Sequence, residues 1–254
     1  MNFLSSGGFG DAFIVMLKIS EWGRNNLAAG QPEDFDWLHV ESNDILKPLQ
    51  SIWDLFPLGM AQKYNLEFKH DPNYVQNIAT YTKDRKVIPT PVRGTCDFYQ
   101  KEWPLENPFL DQKPKEKQYD IVLQARGGFN NDRKWFTSVP MMAHTLASMG
   151  RHITVVGTGN LDLRTTHKVV NLVGLTTLRD CLEVVSKCNV FIGLSGLLNY
   201  FASASKILNI HVIESEKHEI MYYHPEWAEF VQGIRLGTLQ EVVRAIKLLE
   251  KNGE

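Results

Sequence analysis

Short apolar runs alternate with amphipathic stretches through the second half of the chain. Five runs have the length and β-branched content of buried strands: YDIVLQAR, HITVVGTG, VVNLVG, VFIGLSG and NIHVIES. Between and after them, apolar residues recur with helical spacing in VPMMAHTLASMG, TTLRDCLEVVSKCN, LLNYFASAS and TLQEVVRAIKLLEKNGE. Strands that alternate with helices at this spacing predict βαβ units, and therefore a parallel sheet covered on both faces.

Local residues mark the ends of these predicted helices. Ser138 and Pro140 suit the first turn of a helix that Gly150 would end. Thr177 and Asp180 have the spacing of a capping box, and the tail helix begins with the same pattern.

The first 86 residues are less regular. They begin with a strand, a glycine loop and a helix that reaches about Trp22; the run 35–42 predicts a strand and the run 44–57 a helix interrupted by Pro48. A proline-rich segment at 87–118 follows and predicts a domain junction. We therefore expect two Rossmann-like domains that face each other across a cleft, at residues 1–115 and 116–254. The tail helix at 238–254 is a candidate for crossing back onto the first domain.

Composition narrows the class of protein. The 254 residues carry a net charge of -2, which gives no case for non-specific nucleic-acid binding but leaves a local basic groove open. Cys96, Cys181 and Cys188 form no disulfide or metal framework, and the last two fall in one helical pattern that predicts their burial. No apolar stretch approaches the roughly 18 residues of a membrane span, and the first residues lack the pattern of a secretory signal, so we expect none. We expect a cytoplasmic protein.

A glycine-rich loop near the start of the chain has two possible roles. Gly7, Gly8 and Gly10 precede Asp11, which is followed by an apolar run. The simpler interpretation is a strand-to-helix turn with Asp11 as the helix cap. The alternative is a loop in a binding site, where glycine lets a substrate approach the backbone. The local sequence leaves both open.

Three further loops follow predicted strands in the second half. One contains Arg126 and Lys134, the second contains Gly157, and the third is the turn at Ser195 and Gly196. Cations, glycines and the free amides of a helix start suit a diphosphate. Taken singly, each is also typical of a solvated loop or an ordinary turn. Because the three loops are expected at one edge of one sheet, together they predict a nucleotide pocket.

Other kinds of site have less support. The sequence around Gly157 is not a complete dinucleotide fingerprint, so a specific NAD site is weakly supported. The chain contains no HExxH, CxxC or nucleophile-elbow pattern. We therefore expect neither a bound metal nor a cofactor.

Four motifs in this order resemble glycosyltransferase family 9, the ADP-heptose:lipopolysaccharide heptosyltransferases and their relatives. They are GFGD at 8–11, RKWF at 133–136, NLVGLTTLRD at 171–180 and LSGLLNYFASA at 194–204. The resemblance is continuous from about residue 119 to 214, and the N-terminal loop is a separate match.

The resemblance implies a GT-B fold and an inverting transfer of a sugar from a nucleoside-diphosphate sugar, without an obligatory metal. It implies that Asp11 is the general base that faces the acceptor hydroxyl. It also implies that Lys134 binds the donor diphosphate and that the turn at Ser195 and Gly196 presents backbone amides to it.

Two positions depart from the family pattern. Leu194 stands where the family has an acid, and Asn199 stands where it has a histidine. Those positions help to hold the donor, so Asn199 is a candidate donor-binding residue and the donor need not be ADP-heptose. The acceptor is the least transferable part; a saccharide and a hydroxymethylated base in phage DNA are both candidates.

Two other classes of function stay open from the sequence. The departures at Leu194 and Asn199 would also suit a non-catalytic protein that binds nucleotide sugars. A different nucleotide enzyme on a Rossmann-like fold, such as an NAD-dependent oxidoreductase or a sugar-nucleotide epimerase, is the third class. The sequence names neither the base and sugar of the donor nor the oligomeric state.

Overall fold

The chain forms two compact units, Met1–Gln112 and Lys113–Glu254. The computed structural model describes residues 2–6, 10–15, 17–18, 36–41, 65–87, 115–126, 133–194, 196–213, 227, 229–235 and 238–252. The helix predicted at 44–57 and most of the proline-rich segment lie outside these residues. No helix in this part of the chain is both long and apolar enough to cross a membrane.

The first unit is built on a four-stranded parallel sheet in the order β3-β2-β1-β4. Its strands are β1 (Asn2–Ser6), β2 (Asp36–Glu41), β3 (Asn65–His70) and β4 (Lys86–Val87). Its helices are α1, with helical residues 10–15 and 17–18, and α2 (Tyr74–Thr82). The strand predicted at 35–42 is confirmed as β2, whereas the sequence did not predict β3, α2 and β4. A small core joins the sheet to α2 through Leu4, Leu38, Val40 and Tyr81.

A carboxylate fixes the connection between β3 and α2. Asp71 accepts hydrogen bonds from the Tyr81 hydroxyl at 2.7 Å, the Asn77 amide at 3.0 Å and the Asn73 backbone N–H at 2.8 Å. The bond from Asn77, followed by that from Tyr81, holds the pKa of Asp71 below its usual range. The side chains of α2 are therefore anchored directly beyond the end of β3.

The second unit is a six-stranded parallel sheet in the order β10-β9-β8-β5-β6-β7. Its strands are β5 (Tyr119–Gln124), β6 (Ile153–Val156), β7 (Val169–Asn171), β8 (Cys188–Leu194), β9 (Leu208–Ile213) and β10 (Val231–Arg235). Its helices are α3 (Arg133–Ser148), α4 (Leu178–Ser186), α5 (Leu197–Ala204) and α6 (Leu239–Asn252). The predicted α/β class and the five predicted strands are confirmed, and β10 is an addition.

The strands of this sheet are apolar because both faces are covered. All four residues of β6 are buried, as are the last four of β5. The tail helix α6 packs against β9 and β10 and buries one stripe of side chains in the same core. That stripe consists of Val242, Ala245, Ile246 and Leu249.

Local capping signals are borne out where no long-range contact competes with them. At the start of α4, the Thr177 hydroxyl accepts from the Asp180 backbone N–H, and the Asp180 carboxylate accepts from the Thr177 backbone N–H. At the end of α3, Gly150 N–H bonds to Ala147 O at 3.1 Å, which confirms the predicted helix stop.

The start of α3 differs from the prediction. The helix begins at Arg133, so Ser138 and Pro140 lie inside it. Trp135 explains the difference, because its side chain is buried and its Nε1 donates to Gln124 O at 2.8 Å. This contact fixes the first turn against the end of β5. Ser138 then donates to Trp135 O at 2.7 Å instead of capping the helix.

The cysteine prediction is half right. Cys181 and Cys188 are both buried free thiols, as predicted. Cys188, however, opens β8 instead of continuing the helix, because α4 ends at Ser186. Burial raises the pKa of Cys188 to about 12, so this thiol is chemically quiet.

Candidate functional site

The ends of three neighbouring strands bring together the loops that the sequence singled out. Strands β8, β5 and β6 are adjacent and parallel, so their carboxyl ends lie at one edge of the sheet. Arg126 follows β5, Gly157 follows β6, and Gly196 follows β8. In open parallel sheets, ligands bind beyond this edge.

The β5 and β6 ends approach each other at Gly157. This residue has φ +144, and a Cβ at its position would lie 3.1 Å from Arg126 N and 3.2 Å from Arg126 O. A larger residue would therefore be strained in its backbone and crowded by its neighbour. Glycine at 157 lets the two strand ends run side by side.

The side chain of Arg126 lies across this junction. Its Nη1 is 3.9 Å from the place of a Gly159 Cβ, and its Cζ is 5.8 Å from the centre of the Phe136 ring. Contact between a guanidinium and an aromatic face is favourable and leaves the N–H donors in the plane of the group available. Arg126 itself is exposed. The edge of the sheet thus presents a cation held between α3 and the turn after β6.

The turn before α5 has a backbone that only glycine adopts readily. Gly196 is the N-cap residue, with φ +147 and ψ -170, and its carbonyl accepts from the N–H groups of Asn199 and Tyr200, both at 3.1 Å. Apart from the glycine and its two chain neighbours, no described atom lies within 4 Å of the place of a Gly196 Cβ. The glycine is therefore required by its conformation, and the space beside it is open in the described part of the chain.

Asn199 lies beneath this turn. Its side chain is 1% exposed, and its Nδ2 donates to Gly193 O at 3.2 Å. Its backbone oxygen accepts from Ser203, and the Ser203 hydroxyl accepts from Asn209 Nδ2 at 2.7 Å. In this structure Asn199 joins α5 to the end of β8, and Leu194 beside it is buried in the core.

A residue that sequence reasoning missed connects the two loops. Gln124 is 5% exposed. Its Oε1 accepts from Leu194 N–H at 3.2 Å, and its Nε2 donates to Arg126 O at 3.4 Å. The available signal was a polar residue at the end of the apolar run that forms β5.

The turn after β6 is held from its other side. Gly157 O accepts from Gly174 N–H at 2.9 Å, and the backbone of Gly157 acts on the Cys181 thiol in the direction that lowers its pKa. Thr176 Oγ1 lies 3.1 Å from the same sulfur. Burial is the main reason that the pKa of Cys181 is raised, so the thiol is neutral and supports the turn.

The remaining predicted residues are only partly described. Lys134 is the second residue of α3, next to the anchored Trp135, but its side chain lies outside the described residues. Gly7, Gly8 and Ser195 also lie outside them. Gly10 and Asp11 are both helical residues of α1, so the interpretation of Asp11 as the helix cap is wrong. Asp11 is partly exposed.

No metal site emerges from the described residues. Within them, no group of three His, Cys, Asp or Glu side chains is arranged to hold an ion.

Comparison with known proteins finds similar structures but no similar sequence. No family model matches the sequence, and no curated protein matches it. The structure is similar to that of E. coli ADP-heptose LPS heptosyltransferase II, with a TM-score of 0.60 at 12% identity over 98% of each chain. A family 9 glycosyltransferase from Veillonella parvula gives a TM-score of 0.61 at 8% identity, over 98% of this chain and 96% of that one. E. coli heptosyltransferase WaaC with ADP gives 0.53 at 13% identity over 99% of each.

These likenesses define the class of fold. The chain is an α/β protein with the GT-B-like architecture of glycosyltransferases, as predicted. More particularly, its fold is similar to that of the family 9 heptosyltransferases, which confirms the resemblance at the level of structure. At identities of 8–13% this likeness concerns the fold alone.

Proposed function

We propose that this protein transfers a sugar from a nucleoside-diphosphate sugar to an acceptor hydroxyl. The observation that carries the proposal is the position of Arg126. Its exposed guanidinium lies over the glycine turn after β6, at the carboxyl edge of a sheet whose fold resembles that of heptosyltransferases. A fixed cation at such an edge suits a phosphate-containing donor.

The donor diphosphate is the group that this edge would bind. Arg126 and Lys134 supply positive charge, and the turn at Ser195 and Gly196 supplies backbone amides at the start of α5. When the sugar leaves, negative charge grows on the diphosphate, and preorganised cations and amides lower the energy of that charge. In this scheme the side chains of Arg126 and Lys134 stabilise the charge on the leaving diphosphate, so transfer needs no metal ion.

The acceptor hydroxyl is activated by Asp11. Its carboxylate takes the hydroxyl proton as the acceptor oxygen bonds to the anomeric carbon. The bond from that carbon to the diphosphate oxygen breaks with its electron pair, the nucleoside diphosphate leaves, and the configuration inverts. Asp11 belongs to the first unit, which we assign to the acceptor.

Substitution of Asp11 tests the enzymatic part of the proposal. A thermal-shift screen with ADP, GDP, CDP, UDP and dTDP first identifies the base, since a ligand at a hundredfold excess over Kd stabilises by roughly 2.7 kcal/mol. Asp11→Asn should then abolish transfer while it leaves the nucleoside diphosphate bound. Asp84→Asn, an exposed residue of the same unit, is the matched control. Full turnover by Asp11→Asn would overturn the role of the base.

A non-catalytic donor-binding protein is the second candidate. Leu194 and Asn199, at positions where the family has an acid and a histidine, are both about 1% exposed. Slow release of nucleoside diphosphate from a bound donor, lost in Arg126→Ala, would favour the enzyme. Binding without any such release would favour the binder.

The acceptor separates two versions of the enzyme. We propose that the protein acts in the cytoplasm. A saccharide is the first acceptor to test. A hydroxymethylated base in DNA is the second, although the net charge of -2 does not favour it. Transfer of radiolabelled sugar to glycan or to hydroxymethylated oligonucleotide decides between them.

A further inference from the structure

We propose that Gln124 is a positioning residue of the donor site. It would fix the loop that starts at Arg126 (the cationic loop) relative to the turn at Ser195 and Gly196 (the amide turn). The inference rests on the proposed function, because it assigns both loops to one diphosphate. Gln124 is the last residue of β5, the central strand between β8 and β6.

The hydrogen bonds of Gln124 reach three parts of the site. The side-chain oxygen accepts from Leu194 N–H at 3.2 Å, two residues before Gly196. The side-chain nitrogen donates to Arg126 O at 3.4 Å. The main-chain oxygen accepts from Trp135 Nε1 at 2.8 Å, which fixes the first turn of α3. One residue therefore connects the elements that carry both cations and the amide turn.

The side chain of Gln124 adds a contact between β5 and β8 beyond their backbone ladder. The last registered pair of the two strands is Leu123 with Ile192, so the bond to Leu194 extends their contact beyond the ladder. A Cβ at Gly193 would lie 2.6 Å from the Gln124 oxygen. Glycine at 193 therefore provides the space that the amide of Gln124 occupies.

The primary amide is the group that satisfies these neighbours. It offers an acceptor to Leu194 and a donor to Arg126 O from one planar head. A methionine of similar length offers neither, and a glutamate keeps the acceptor but loses the donor. Because Gln124 is 5% exposed, water does not readily replace the bonds that these variants lose. The backbone must then shift to give Leu194 N–H or Arg126 O a new hydrogen-bond partner.

The test compares Gln124→Met and Gln124→Glu with Gln118→Met, a control at an exposed residue just before β5. Calorimetry measures binding of inorganic pyrophosphate, of the nucleoside diphosphate that the screen selects, and of its nucleoside. We expect Gln124→Met to weaken both diphosphate probes about tenfold with nucleoside affinity unchanged. Gln118→Met should bind all three as the wild type does.

Acid rescue supplies a second readout. In Gln124→Glu, protonation of the carboxyl group restores a donor toward Arg126 O. Its affinity for pyrophosphate, divided by that of the wild type at the same pH, should rise as the pH falls from 8 to 5. This second variant also keeps the test decisive if Gln124→Met does not fold.

The outcomes separate the inference from the function on which it rests. Wild-type protein that binds neither the nucleoside diphosphates nor pyrophosphate overturns both. Wild-type binding with unchanged diphosphate affinity in Gln124→Met overturns the inference alone. An equal loss for nucleoside and diphosphate, or a flat pH ratio in Gln124→Glu, shows general damage and also overturns it.

Discussion

At the amino edge of the six-stranded sheet, a bidentate ion pair joins two strands to a helix. Arg151, just before β6, bonds to both oxygens of Asp120 in β5, with distances of 2.6 and 2.8 Å. Its third contact is to Glu250 in α6, at 2.7 Å. Asp120 also accepts from His152 N–H at 3.0 Å. Every charge in this cluster has a partner within the fold.

At the carboxyl edge, the same two strands end differently. Arg126 forms no ion pair with any carboxylate among the described residues, and the bonds around it are neutral ones from Gln124 and Trp135. The turns at Gly157 and Gly196 have backbone conformations that other residues rarely adopt. This edge is organised by neutral hydrogen bonds and leaves its cation exposed.

The two edges of one sheet therefore use their arginines differently, one for stability and the other for binding. A guanidinium with its own carboxylate stabilises the chain but has to lose that partner before it can bind an anion. A guanidinium held by an aromatic ring and a glycine turn keeps its donors for a ligand. We therefore expect substitutions at the carboxyl edge to change nucleoside-diphosphate affinity and substitutions at the amino edge to change the free energy of unfolding.

The largest effect is expected for Arg126→Ala. Affinity for the selected nucleoside diphosphate should fall by about 10- to 100-fold, because a charge-assisted hydrogen bond is worth about 1.5–3 kcal/mol. Stability should change by less than about 1 kcal/mol, the range of an exposed cation–π contact. Calorimetry and urea unfolding measure the two quantities, with Arg164→Ala, another exposed arginine, as the control. Unchanged nucleoside-diphosphate affinity in Arg126→Ala would contradict the assignment of the carboxyl edge to binding.

Asp120→Ala should do the reverse. It leaves the guanidinium of Arg151, which is about a quarter exposed, without its bidentate partner, so the free energy of unfolding should fall by about 2 kcal/mol. Nucleoside-diphosphate affinity should not change. Urea unfolding measures the loss, and the exposed Asp162→Ala is the control. A change in affinity with unchanged stability would contradict the division between the edges.

The pH dependence of this stability difference gives a second check. Burial raises the pKa of Asp120, but the hydrogen bonds from Arg151 and His152 outweigh burial and leave the pKa below its ordinary value. A carboxyl group with a depressed pKa contributes its stability above the unfolded pKa of about 3.9 and loses it as pH falls through the folded pKa. The gap between wild type and Asp120→Ala should be constant above about pH 5 and close in acid.

The smallest effect is expected for Glu250→Gln. The Glu250 side chain is 44% exposed, so its bond to Arg151 is screened by solvent and salt. Unfolding free energy should fall by less than about 0.5 kcal/mol, and the difference should shrink in 1 M NaCl. If Glu250→Gln lost as much stability as Asp120→Ala, the exposure of the two carboxylates would not explain how much each bond to Arg151 contributes.

The sequence predicted best where the signal was local. The buried strands of the second unit and the capping box at Thr177 and Asp180 depend on residues close together in the chain, and the structure has them. The first unit was predicted less well: β2 was found, while β3 and α2 were missed. The direct donor roles of Lys134 and Ser195 stay predictions.

Local patterns were enough to predict a parallel α/β fold whose strands are followed by loops with glycines and cations, because periodicity and capping are short-range effects. The start of α3 depends instead on a tertiary contact, since burial of Trp135 against Gln124 overrides the cap signal of Ser138 and Pro140. The contact of Gln124 with β8 is also tertiary, because its side chain bonds a backbone N–H 70 residues away. A contact of that kind is created by strand order in the sheet, and no local pattern encodes it.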